Sequence, residues 1–528
     1  MKAEQDLQKL QELLKNLSSA EIDVIKKLIE QSKSNLLKVN KQEKLFFLLL
    51  NKDKIEYDKV KKLISKDTTD YGFIRLIGRL KNRVIESLYL DVNLNRSTSI
   101  NSAFRHKLMQ KKLLVSAFVL HSRGMIDLSM DIYNEVIIKS KRFELYDDLL
   151  EALYIKQGLV GLSKGMDAYN KLAEQIIFYE ECRIAFYNAK NWYRSFYARV
   201  DFEGLKSLDF KADLKKYISL LNSSYEFTRS ANVKMYKFLF EMELFQQLSD
   251  FVKVDEVGRE FVKFIRNSRA IFGKERVGTI YSQLAENKIK SFEFKESLEY
   301  SKTGIEFFLN KNLNYFVAKE LEVEAAYYEG DIFHLESLIK DLSKDPFYEG
   351  FDYRRTKLRF YLGMVYFLQH NFKQAKLEFN DTKEIEKDKA GWNVWVRIMR
   401  ILCNVSLAKY NFIDYDIESF RRYVKRTQYR NDVRSRDELI LISLLTLARN
   451  GFDFAKTYKE EKKLFEKLES MDDLYRWRVD SPELIIYHQW FVSKIDNTAY
   501  KPNFEPYKQH AKVRVSELKN QIRKQEDE

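Results

Sequence analysis

From about residue 99 to residue 470 the chain repeats one rhythm: two long runs of apolar residues at three- and four-residue spacing, divided by a brief polar break. Such pairs fall at 103–122 with 125–141, 144–162 with 165–199, 211–227 with 231–250, 275–290 with 294–309, 314–329 with 332–343, and 355–369 with 372–386. The breaks include Arg123-Gly124, Glu329-Gly330-Asp331 and His370-Asn371. That spacing places the apolar side chains on one side of a helix, and so short a break turns the second helix back along the first. One such pair cannot bury its own apolar stripe, so the next pair must cover it. The rhythm therefore confines the chain to an all-helical array in which neighbours shield one another. Composition agrees. Glycine (16) and proline (4) are scarce in 528 residues, against an average of roughly 12% together. Sheets joined by tight turns need both residues, whereas helices joined by polar breaks need few. At this length a single compact core would also be unusual.

The flanks read differently from the array. Helices are expected at 3–15, from a capping box of Ser18 and Glu21 to about 32, and at 41–51, 55–65 and 69–91. The stretch between 250 and 275 receives no helix. Beyond 386 come helices at 391–410 and 412–427 and one long run at 434–470. In Ser481-Pro482-Glu483 the serine suits an N-cap and the proline the first helical position, which predicts a helix from there to about Ile495. A loop with Pro502 and Pro506 leads to a charged helix at 507–524. No Gly/Ser or proline-rich tether interrupts the chain. The expected organisation is an N-terminal helical region at 1–95, a repeat array at 96–470, and C-terminal capping helices with a charged tail at 471–528.

The most specific pattern lies at 356–389, where Leu362-Gly363-x-x-Tyr366 precedes Ala375-x-x-x-Phe379. Small residues at Gly363 and Ala375 let two helices approach, while Leu362, Tyr366 and Phe379 fill the space beside them. Arg359, Thr382 and Lys387 depart from the pattern. Similar placements recur at Tyr281, Leu284 and Ala285 with Ser297 and Gly304, and at Leu113 and Ala117 with Ser129 and Tyr133. The nine-residue offset from Tyr366 to Ala375 resembles the tetratricopeptide repeat. The chain is also similar to uncharacterised bacterial helical-repeat proteins that close with a Tyr-Arg-Trp segment, here Tyr475-Arg476-Trp477, and an aromatic helix carrying Trp490-Phe491. The tetratricopeptide resemblance implies a right-handed α-solenoid of antiparallel helical hairpins, with a concave groove that takes peptides or helices.

The chemistry of the residues points to binding. Phe272-Gly273-Lys274-Glu275 lacks the glycine spacing and hydroxyl of a phosphate-binding loop. Cys182 and Cys403 belong to no metal-ligand pattern, and His106, His121, His334, His370, His488 and His510 are dispersed. No enzymatic activity, cofactor or metal is expected. No apolar run reaches the roughly 20 residues needed to cross a bilayer, so the expected compartment is the cytoplasm. Basic residues exceed acidic ones by 14, which favours anionic partners. The candidate site for one is Arg421, Arg422, Lys425, Arg426 and Arg430, extended by Arg434 and Arg436 and interleaved with Tyr423 and Tyr429. Glu418, Asp432, Asp437 and Glu438 stand close enough to pair with these cations. The function expected is a scaffold that binds a protein or peptide partner through the groove. The alternative is a nucleic-acid-binding or regulatory protein that uses the basic run.

Overall fold

The computed structural model describes residues 2–17, 19–31, 41–52, 55–64, 69–90, 102–203, 210–382, 384–385, 388, 391–427 and 435–513. Among these residues helix is the regular secondary structure and there is no strand. It divides into two units, one made of 1–100 and 104–133 and the other of 101–103 and 134–528.

The first unit holds α1 (Lys2–Lys15), α2 (Ser19–Gln31), α3 (Lys41–Asn51), α4 (Tyr57–Ile64), α5 (Asp70–Leu90), nearly all of α6 (Ser102–Ser122) and the start of α7 (Ile126–Phe143). Helix α5 is its centre, because Phe73, Leu76, Ile77, Leu80 and Val84 recur at helical spacing and α1, α2 and α3 all pack on it. Leu7, Leu10, Leu14, Ile25, Ile29 and Phe46 close over that stripe. The Gln11 amide donates to the carbonyls of Leu49 (3.2 Å) and Lys52 (2.6 Å), satisfying acceptors at the end of α3. The capping box expected at Ser18 falls outside the described residues.

The second unit continues with α8 (Tyr146–Lys164), α9 (Met166–Glu203), α10 (Phe210–Thr228), α11 (Ala231–Gln247), α12 (Phe251–Asn267), α13 (Lys274–Lys290), α14 (Phe294–Glu306), α15 (Leu313–Glu329) and α16 (Ile332–Ser343). A 3-10 turn at Pro346–Gly350 precedes α17 (Asp352–Leu368), α18 (Phe372–Asn380), α19 (Trp392–Ser406), α20 (Tyr410–Thr427), α21 (Ser435–Arg449), α22 (Phe454–Glu460), α23 (Lys462–Glu469) and α24 (Tyr487–Ile495). Consecutive helices from α10 to α21 pack against one another. A second relation overlies this one: α13 also meets α15, α15 meets α17, and α17 meets α19.

Small residues set the closest approaches. A Cβ added to Gly363 on α17 would lie 2.5 Å from Cε1 of Phe379 on α18, so the aromatic ring occupies the space the glycine leaves. Gly278 and Gly304 bring α13 and α14 together backbone to backbone, since a Cβ on the first would lie 2.8 Å from the carbonyl oxygen of the second. The Ser297 hydroxyl bridges the same two helices by donating to the Ala285 carbonyl at 2.8 Å. Two departures from the repeat pattern also have partners: Arg359 donates to the Asp381 carboxylate at 2.6 Å, and Thr382 Oγ1 to the Phe379 carbonyl at 2.8 Å, while Lys387 lies outside the described residues.

Several turns between the described helices share one device. The first or second residue after the helix is left-handed, and the next N–H donates to the carbonyl five residues back, which satisfies an orphan acceptor. Gly330 does this conventionally (φ +83°), with Asp331 N bonded to Ala326 O at 3.2 Å. Ser249, Phe292, His370 and Ala408 do it without being glycine, at φ of 55°, 62°, 60° and 51°. The matching bonds run from Asp250 to Phe245, Glu293 to Lys288, Asn371 to Tyr366 and Lys409 to Asn404. The low glycine content therefore coexists with many left-handed turns. Asp250, Asp331, Asn371 and Asp453 then cap the following helix through their side chains. Glu144 adds a long-range cap. Its carboxylate accepts from Ala231 N (2.6 Å), Asn232 N (3.0 Å) and Ser230 Oγ (2.7 Å), fastening the start of α11.

Three expectations require correction. Residues 251–267 form a helix, α12, where none was assigned. The run at 434–470 is three helices, α21, α22 and α23, because Gly451 takes a left-handed conformation and Asp453 caps a new start. No helix begins at Pro482: α24 starts at Tyr487, and the Ser481 hydroxyl donates back to Arg478 O at 2.6 Å. The intervening Leu484, Ile485 and Ile486 are buried, and Glu483 has no exposure. The main chain there follows its side chains into the core.

Candidate functional site

Helix α20 presents two opposite faces. Ile413, Ile417, Phe420 and Val424, at three- and four-residue steps, turn inward and are buried. The other face carries Tyr415, Glu418, Ser419, Arg421, Arg422, Lys425 and Arg426. Four of the five predicted cations therefore share one exposed face, whereas Arg430 lies outside the described residues, as do Tyr429, Asp432 and Arg434.

Helix α19, packed on α20, contributes Arg397, and the connection before α19 contributes Glu384. Together with Tyr415, Glu418, Ser419, Arg422, Tyr423 and Arg426 they line a cleft of about 370 Å³. The Arg397 guanidinium lies 3.9 Å from the Tyr423 ring centroid, and its Nη1 donates to the Asn393 carbonyl at 2.8 Å. Burial lowers the pKa of Arg397, an effect that Glu384 partly offsets. Glu384 reaches Arg397 Nη2 at 3.4 Å with one oxygen and Arg426 Nη2 at 3.6 Å with the other. Glu418 takes Arg421 at 2.9 Å and Arg422 at 3.1 Å, and hydrogen bonds from Arg422 and then Arg421 hold its carboxyl below the usual range. These ion pairs are solvent-facing, with Arg422 79% and Arg426 70% exposed, and pairs of that kind contribute only about 0–1 kcal/mol each. Arg421, Arg422 and Arg426 are thus matched but not locked.

Sequence reasoning missed Arg397 and Glu384. No sequence signal marks them: they stand 24 and 37 positions before Arg421, and only the packing of α19 on α20 brings them to it.

Arg436 departs from the predicted basic run. It is 1% exposed and forms a bidentate pair with the fully buried Glu483, at 2.7 Å and 2.9 Å. Its Nη1 donates to the carbonyls of Leu468 (2.7 Å) and Tyr475 (2.6 Å), and its Nη2 meets His488 Nδ1 at 3.2 Å. Glu483 further accepts from Tyr487 N, and its carbonyl takes the Trp477 indole N–H at 2.7 Å. A buried charge survives only when its donors and acceptors are met in this way. Burial, helped by the Arg436 charge, depresses His488 to about 3, so this histidine is neutral and accepts at Nδ1.

Tyr327 and Tyr328 of α15 hold the same C-terminal segment from the other side. Their hydroxyls donate to the carbonyls of Leu484 (2.9 Å) and Val479 (3.0 Å). Phe294, Tyr328, Trp477 and Phe504 pack ring against ring beside them. Residues 477–507 consequently join α15 to α21.

Cys182 and Cys403 are free and buried, and burial pushes the Cys182 thiol up to about 11. Among the described residues no group of three or more His, Cys, Asp or Glu is placed to hold a metal ion, and no helix is long and apolar enough to cross a membrane. No family model matches the chain, and no curated protein matches it.

Proposed function

We propose that the chain is a non-enzymatic interaction scaffold. In this reading its repeat region is a tetratricopeptide-like right-handed α-solenoid of antiparallel hairpins, of the kind found in bacterial helical-repeat proteins, and it binds a partner protein or peptide in the cytoplasm. The observation that carries the reading is the packing of α13 on α15, α15 on α17 and α17 on α19. A stack of hairpins must bring the first helices of successive pairs into one layer, and a row of such helices is a long contact surface. The chain also exhibits on itself a contact mode suited to a peptide, because Tyr327 and Tyr328 hold a non-helical segment by its main-chain carbonyls. Panning a displayed peptide library on the full chain, with hits measured by calorimetry, tests the reading. The expected result is a peptide family binding with Kd near ~1 µM; no binding by any peptide at ~1 mM overturns it.

A second reading, binding of nucleic acid, draws on the net charge of +14 and the exposed cations of α20. Anisotropy with short RNA and DNA over a salt series tests it. Phosphate contacts require affinity to fall steeply with salt, and no binding at about 50 mM salt removes the reading.

A further inference from the structure

We propose that the cleft between α19 and α20 is a carboxylate-binding site for an acidic peptide segment of a partner protein, and that Glu384 occupies it as a placeholder which that segment displaces. The inference deepens the scaffold reading and rests on it.

Arg397 is the fixed element. Its stem rises from a buried helix, its plane lies against Tyr423 at 3.9 Å, and Asn393 O holds Nη1 at 2.8 Å. A guanidinium positioned before a ligand arrives loses little conformational freedom on binding, and its fork suits a carboxylate. Arg426 faces it across the cleft, 5.6 Å from the same ring. Between the two sits one carboxylate, Glu384, giving one oxygen to each arginine at 3.4 Å and 3.6 Å. A charge-assisted pair at its optimum closes to about 2.7–2.9 Å. Glu384, tied into the connection between α18 and α19 and 53% exposed, meets both partners loosely. A carboxylate free of that tether can close both gaps.

The remaining lining suits a peptide. The Ser419 hydroxyl and the Tyr415 ring, 76% exposed, offer a polar contact and an apolar one beside the charged pair. Arg421 and Lys425, on the same face, attract acidic segments from a distance. The cleft is poorly suited to a nucleic acid. The Tyr423 ring is buried and covered by Arg397, so no base stacks on it.

The test uses the full chain and a fluorescein-labelled peptide rich in glutamate with one leucine, read by anisotropy at low salt. The wild type is expected to bind; Glu384→Gln, which removes the competing carboxylate at nearly equal volume and so raises the net charge by one, tightens binding about threefold or more, and Arg426→Ala weakens it about fivefold or more. Glu384 and Arg426 are both exposed, so an unchanged melting temperature separates these effects from misfolding. Affinity that falls or stays level in Glu384→Gln overturns the proposal. So does displacement of the peptide by an RNA oligonucleotide through the same arginines. If library peptides bind the wild type and both variants equally, this proposal fails while the scaffold reading stands.

Discussion

At the scale of single residues, the chain concentrates its electrostatic stakes in the buried Arg436–Glu483 pair rather than on its charged surface. Removing either partner leaves an uncompensated charge in the core, so Glu483→Gln or Arg436→Met should each cost about 3–5 kcal/mol in denaturant unfolding. The paired replacement Arg436→Met with Glu483→Leu should cost less than the two single changes added together, because neither charge is then stranded. His488 gives the same centre a pH signature. Its folded value of about 3 lies below its ordinary 6.5, so the unfolded chain takes up the proton first. Stability attributable to this histidine is complete above pH 6.5 and is lost as pH falls from there toward 3. Urea midpoints measured across that range should decline less in His488→Gln than in the wild type. None of this was legible in the sequence. Arg436 reads as the continuation of an exposed basic run, and its partner is 47 positions away in a segment whose serine and proline imitate a helix start.

At the scale of helices, the sequence was far more informative, since breaks at Arg123-Gly124, Glu329-Gly330-Asp331 and His370-Asn371 fall where helices end. Apolar periodicity is a local property and survives without knowledge of neighbours. Helix α12 was legible by the same rule, since Val254, Gly258, Phe261 and Ile265 recur at four-, three- and four-residue steps and are buried, although Val252, Val254, Val257 and Gly258 lower its intrinsic propensity. Gly258 is buried where a Cβ would lie 2.5 Å from Leu284 Cδ2. Packing against α13 outweighs propensity there. Two substitutions probe the contacts between helices. Gly363→Ala forces a methyl group into Phe379 and should destabilise the fold by about 1–3 kcal/mol. Ala408→Gly relieves a left-handed residue at an exposed turn and should stabilise it by a few tenths to about 1 kcal/mol, after the extra freedom glycine gains in the unfolded chain. Differential scanning calorimetry on both variants checks the opposite signs.

At the scale of the second unit, the decisive feature is that residues 477–507 reach α15 through Tyr327 and Tyr328 and α21 through Arg436. The sequence assigns this stretch to capping helices; its joining of helices more than a hundred residues apart in the chain could not be read from periodicity. Ending the chain at residue 474 strips the aromatic packing from Phe292, Phe294 and Tyr328. Such a variant should bind a hydrophobic dye and lose the sharp unfolding transition of the full chain.

That arrangement also dictates an order of events during synthesis. A ribosome makes α13 through α21 before it makes the tryptophan, tyrosine and phenylalanine residues that will lie against them. For those seconds the nascent helices hold an uncovered greasy flank, available to chaperones or to stray neighbours, and the maturation of this part of the second unit waits on residues 477–507.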